Sequence, residues 1–112
     1  MPTPHRPTAG VQRALRKLGA DIQDARKRRV LPMSVIADRA FTSRSTLQRI
    51  EAGDPAVGMG IYASVMQALG LLGEIADAAD LARDPVGMRL AVAALPKRVR
   101  IARSRKAGDA GG

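Results

Sequence analysis

The chain has no cysteine and no tryptophan, and its only aromatic residues are Phe41 and Tyr62. Without thiols, disulfides, thiolate metal sites and cysteine nucleophiles are excluded, and the absence fits a reducing compartment. The single histidine, His5, lies in a proline-rich leader. A lone imidazole with no second ligand nearby in sequence reads as a solvated residue. No apolar run approaches the ~20 residues needed to span a bilayer, and residues 1–10 lack the apolar centre of a signal peptide. A cytoplasmic location with no membrane partner is expected. Negative charge is also scarce: ten Asp and Glu face nineteen Lys and Arg, for a net charge of +9. A small, strongly basic globule points to a polyanionic partner, with nucleic acid the default. Solubility, an acidic protein or an anionic membrane are the other readings of such charge.

What is present favours helix. Alanine and leucine dominate, β-branched runs are absent, and hydrophobic residues make up 46% of the 112, enough for one compact domain plus tails. Residues 1–10 carry three prolines and no periodicity, and read as a disordered arm. Val11, Leu15, Leu18, Ile22 and Ala25 form one apolar stripe of a first helix reaching about Arg29, with Gly19 inside it at some cost in propensity. Its end, Arg26 to Arg29, complements the negative end of a helix dipole and is partly available to phosphate. Pro32 suits the first turn of a second helix, backed by Val35, Ile36 and Ala40. Phe41-Thr42 is the turn, and Ser43 the N-cap of a third helix. Leu47 and Ile50 face its core, and Gly53 is its stop.

Tyr62, Val65, Met66 and Leu69 mark a fourth helix over about 59–69. Leu71, Leu72, Ile75 and Ala79 suggest a fifth reaching about Arg83. Asp84-Pro85 opens a sixth that ends before Pro96. The domain is therefore expected over 11–95, followed by a basic, disordered tail over 96–112 with six cations between Lys97 and Lys106. Charge is uneven: residues 1–30 hold eight cations and two acids, residues 54–95 two cations and five acids.

The informative stretch is Pro32 to Gly53. Two short helices joined by a tight turn can place the second in a major groove. Ala37 and Ala40 allow close approach, and Leu47 and Ile50 anchor the second helix from behind. Its front carries Arg44, Ser45, Thr46, Gln48 and Arg49. Arginine can donate two hydrogen bonds to guanine, and glutamine pairs bidentately with adenine. Base contact is expected from Arg44, Ser45 and Gln48, and phosphate contact from Ser34, Ser43, Thr46 and Arg49. The bland alternative is an ordinary polar helix face, with Arg49 paired to a nearby acid.

The stretch IADRAFTSRSTLQRIEAG resembles the phage-repressor-like (Xre) helix-turn-helix family. The resemblance implies a lambda-repressor-like, all-α domain of five to six helices. RSTLQRIEAGDPAVGMGIYASVMQALGL, with LARDPVGMRL and LPKRVR after it, is similar to HipB-type antitoxins. That similarity implies a dimeric repressor of its own operon that holds a HipA-like kinase toxin inhibited. Three residues depart from the family pattern. Met33 stands where glutamine is common, Thr42 where an aliphatic is usual, and Phe41 where a turn glycine is common. A phenylalanine at positive φ is strained, so the turn is expected to differ in detail.

Catalysis is not expected. Ser43 and Ser45 have no histidine partner, and Asp77, Asp80 and Asp84 describe a solvated helix face rather than a metal loop. No cofactor or metal is implied. The expected partners are double-stranded operator DNA, a second copy of the chain and a HipA-like kinase, with the dimer contact in Leu71, Leu72 and Ile75. The alternatives are a stand-alone Xre-type regulator and a protein-interaction module that keeps the fold.

Overall fold

The computed structural model of the protein describes residues 5–96. Most of the expected basic tail therefore lies outside the described residues, as do positions 1–4 of the expected arm. Among the described residues there is no strand. Six α-helices follow in order: α1 (Ala9–Arg28), α2 (Met33–Arg39), α3 (Arg44–Glu51), α4 (Met59–Ala68), α5 (Leu72–Ala76) and α6 (Pro85–Ala93). A single 3-10 turn, Leu81–Arg83, precedes α6. The chain divides into two compact units between Ile75 and Ala76.

Helix α1 starts two residues earlier than its apolar stripe suggests. The Thr8 hydroxyl accepts from the Val11 N–H at 3.3 Å and the Thr8 carbonyl accepts from Gln12 N–H at 2.9 Å. This N-cap satisfies donors that a helix otherwise leaves unpaired. Ala9 and Gly10 thus belong to the helix rather than to an arm. Val11 at the head of the stripe is exposed, so the buried seam begins further on.

Helices α1 to α4 all end in the same Schellman motif. In α3, Gly53 N–H donates to the Ile50 carbonyl and Asp54 N–H to the Arg49 carbonyl, both at 2.9 Å. Gly70 and Leu71 repeat the pair on Gln67 and Met66 of α4. Val30 and Leu31 do so on Lys27 and Arg26 of α1, and Phe41 and Thr42 on Asp38 and Ala37 of α2. The motif requires a left-handed residue. Gly53 and Gly70 supply it at φ 79°, but Val30 and Phe41 adopt φ 53° and 55°. An L side chain in that region costs roughly 1–2 kcal/mol. Phe41 therefore does not alter the turn, contrary to expectation; the turn keeps its left-handed residue and bears the strain. Burial does not compensate, because Val30 is 87% and Phe41 96% exposed.

The core of the first unit gathers Ile22 and Ala25 of α1, Ile36 and Ala37 of α2, Leu47 and Ile50 of α3, and Tyr62, Val65 and Met66 of α4, with Ala40, Val57 and Leu69 from the segments that follow or precede these helices. Helix α1 packs on α3, and α2 on both α3 and α4. Each fully buried Leu, Ile or Val contributes about 1.5–3 kcal/mol. Gly19 proves necessary rather than merely tolerated. A Cβ there would lie 2.5 Å from the Ile50 carbonyl oxygen and 2.6 Å from that of Glu51. Gly53 meets the same constraint from the other side, with Arg16 backbone atoms 2.6 Å from the position of its absent Cβ. The two glycines let α1 lie directly against the end of α3.

Arg26 is a structural member of the basic cluster at the end of α1. It is buried, and its guanidinium pairs with Glu51 at the end of α3: Nε to Oε2 at 2.7 Å and Nη2 to Oε1 at 3.1 Å. Nη1 donates to the Leu31 carbonyl at 3.1 Å. The hydrogen bond that Arg26 donates to the Glu51 carboxylate holds the Arg26 pKa above its ordinary value. Arg29 is also engaged, donating to the Ala25 carbonyl at 2.9 Å.

Helix α5 is much shorter than the expected run to Arg83. Leu71 and Ile75 are partly buried against the core of the first unit, and Leu72 is exposed. After Ala76, Asp80 takes the Ala82 N–H at 2.8 Å and starts the 3-10 turn instead. Short acidic side chains compete in this way with helix continuation. Asp84 then caps α6, accepting from Gly87 N–H at 2.9 Å, with Pro85 as the first helical residue. Neither the 3-10 turn nor α6 contains a buried residue.

Candidate nucleic-acid interface

Helix α3 has two unlike faces. Leu47 and Ile50 are wholly buried, while Arg44, Ser45, Gln48 and Arg49 are exposed. Their spacing puts these four residues on one side of the helix. The helix is thus fixed from behind and open in front, over a length of eight residues. Ala37 and Ala40, both buried, keep the α2 side of the contact small enough for α2 and α3 to pack.

The N-terminus of α3 concentrates hydroxyls. Ser43 is its N-cap, accepting from Thr46 N–H at 3.1 Å. The Ser43 hydroxyl also donates to Thr46 Oγ1 at 3.0 Å and lies 3.4 Å from Ser45 Oγ. Its own proton is therefore used within the protein, which leaves Ser45 and Thr46 as the better hydroxyl donors to an outside oxygen. Ser45 is exposed and Thr46 half-buried. Arg44 occupies the first turn, where no acidic residue stands. A cation at the positive end of a helix dipole is unfavourable by about 0.3–1 kcal/mol. An anion bound there would relieve both the dipole and the arginine.

Gln48 shares a surface groove with Gln23, Met33, Glu51 and Ala52. Met33, in the place where glutamine was the common residue, is partly buried against the core. It buttresses the groove by packing rather than by hydrogen bonding. Ser34 is exposed in the first turn of α2, apart from the hydroxyl cluster and bonded to none of the other candidate residues.

Arg49 is the exception among the exposed residues, because it already has an ionic partner. Its Nε donates to Asp54 Oδ2 at 2.7 Å. The hydrogen bond from Arg49, and after it that from the Ala56 N–H, hold the Asp54 carboxyl below the usual aspartate range. Tyr62 closes the group by donating its hydroxyl to the Asp54 carbonyl at 2.8 Å. Burial, and then the nearby Asp54 charge, raise the Tyr62 pKa, so the phenol stays protonated as this bond requires.

Three residues around the site were not singled out from sequence, Gln23, Glu51 and Asp54, while Tyr62 was read as core alone. Asp54 had a readable signal, since the residue after a stop glycine lies next to the last turn of its helix. Glu51 had none, because its partner Arg26 is twenty-five residues away. No helix among the described residues is long and apolar enough to cross a membrane. Compared with protein-family models, curated proteins and solved structures, the chain matches none.

Proposed function

We propose that α2, the turn at Phe41 and α3 form a helix-turn-helix, and that the protein is a sequence-specific, DNA-binding transcriptional repressor. The observation that carries this reading is the division of α3 into a wholly buried back and a front of Arg44, Ser45, Gln48 and Arg49. Those side chains match the donor and acceptor pattern of base edges. The hydroxyls around Ser43 and the net charge of +9 supply the phosphate attraction that any duplex binder needs. Ser34 and Thr46 serve the phosphates on either side. A cytoplasmic location belongs to the same reading.

A second copy completes it, because paired half-sites multiply the weak readout of a single helix. Support for a dimer comes from residues 81–95, where Leu81, Val86, Met88, Leu90 and Leu95 are each 40% exposed or more. The similarity of the sequence to HipB-type antitoxins extends the proposal to an operon shared with a HipA-like kinase, with the repressor as its antitoxin. The same apolar surface favours the second reading, a protein-interaction module.

The test is selection from a random pool of duplex oligonucleotides by the native protein. Enrichment of two half-sites about 10 base pairs apart, centre to centre, is expected. Failure to enrich any sequence would leave the interaction module as the better account. Co-purification with the product of a neighbouring kinase gene tests the antitoxin extension.

A further inference from the structure

Arg49 lies on the exposed front of α3 and is nevertheless ion-paired. Its partner is held unusually firmly for a surface carboxylate. The Schellman motif at Gly53 brings Asp54 back over the last turn of α3, so that its N–H donates to the Arg49 carbonyl at 2.9 Å. Its Oδ1 accepts from Ala56 N–H at 2.8 Å, and its Oδ2 from Arg49 Nε at 2.7 Å. Its carbonyl accepts from Tyr62, which belongs to the core. The carboxylate is therefore held between Arg49 and the following loop, and the Asp54 backbone is tied to the end of α3 and to Tyr62.

The geometry at Arg49 matters as much as the pairing. A guanidinium has five N–H donors, and only one of them is on Nε. Among the described residues Asp54 takes that one alone, and the two terminal nitrogens keep their paired fork. An arginine side chain ordinarily loses much rotamer freedom when it engages a ligand. Here the loss is incurred on folding. Half of the Arg49 side chain remains exposed.

We propose that Asp54 is a positioning residue for the DNA site, holding Arg49 so that its terminal nitrogens meet the O6 and N7 acceptors of a guanine. This rests on the reading of α3 as the helix that enters the major groove. It moves Arg49 from the phosphate role expected of it to a base-reading role. It also gives Asp54 a second effect. A fixed negative charge beside the duplex repels phosphate wherever Arg49 has no guanine to engage, so binding to wrong sequences is weakened. Ion pairing through Nε and DNA contact through the terminal nitrogens then become simultaneous uses of one side chain rather than alternatives.

The test compares wild type, Asp54→Asn, Arg49→Lys and the double variant. Each is titrated against the duplex that the wild type selects from a random pool, and against a shuffled duplex of the same composition. Asp54→Asn keeps an oxygen for the Ala56 N–H, and Arg49→Lys keeps the charge but loses the fork. Each single variant is expected to bind the selected duplex about tenfold more weakly. On the shuffled duplex Asp54→Asn is expected to bind as tightly as wild type or more tightly. The double variant is expected to be no worse than either single one, as for two residues acting as a unit. Thermal melts of all four proteins exclude unfolding, and if Asp54→Asn melts low, Asp54→Ser, which keeps a hydroxyl acceptor for the Ala56 N–H, takes its place in the comparison. Equal losses on both duplexes would make Arg49 a phosphate contact and overturn the proposal. So would a wild-type affinity for Asp54→Asn on the selected duplex, or losses that add in the double variant. A wild-type protein that selects no sequence would overturn the proposal together with the function on which it rests.

Discussion

The first unit buries twelve apolar side chains, drawn from α1 to α4 and the segments between them. Among the described residues of the second unit, 76–96, none is buried. Both are helical. The second unit keeps its helices through local devices: Asp80 at the start of the 3-10 turn, and Asp84 with Pro85 at the start of α6. Capping decides where a helix begins, but its contribution is about 1 kcal/mol. It does not supply the several kcal/mol that packed side chains bring to α1 to α4. Helix and core are thus separable properties of this chain. Helix α6 packs on the 3-10 turn before it yet contains no buried residue.

Three substitutions test that contrast, from the largest effect to the smallest. Glu51→Ala leaves the buried Arg26 guanidinium without its carboxylate. A loss of about 3–5 kcal/mol is expected from denaturant unfolding, and a loss below 1 kcal/mol would mean that water reaches Arg26 freely. Phe41→Gly acts in the opposite direction. It removes a left-handed strain of about 1–2 kcal/mol and gives back part of that as unfolded-state entropy. A net gain of about 0.5–1 kcal/mol is expected. A destabilised variant would show that the Phe41 ring makes contacts that compensate its backbone. Leu90→Ser lies in the second unit, 65% exposed. It is expected to change the unfolding free energy at low protein concentration by less than about 0.5 kcal/mol. Sedimentation should nevertheless show weakened self-association. A large loss of stability in the monomer would erase the contrast between the units.

The same contrast explains what could be read from the sequence. Ser43 as N-cap, Gly53 as stop, the Asp84-Pro85 start and the buried pair Leu47 and Ile50 all follow from signals within one helical turn, and each is where it was expected. The misreadings concern contacts between distant segments. Gly19 looks like a weak point of α1 until the backbone of α3 is brought against it. Arg26 reads as one of four cations at a helix end, and its partner Glu51 arrives only from the end of α3. The fifth helix is the local exception: alanines and leucines continue the pattern to Arg83, while Asp80 caps a new turn within two residues. At the site, the side-chain types on the front of α3 were legible. The pairing of Arg49 with a nearby acid was legible as the alternative reading, but its geometry was not, because it depends on how the chain folds back after Gly53.

The most direct measurement is the affinity of Arg44→Ala for the duplex selected by the wild type, set against its affinity for a shuffled duplex. A loss of about 1–3 kcal/mol on the selected duplex, and much less on the shuffled one, is expected if α3 reads base edges. Equal losses on the two, or none on either, would contradict it.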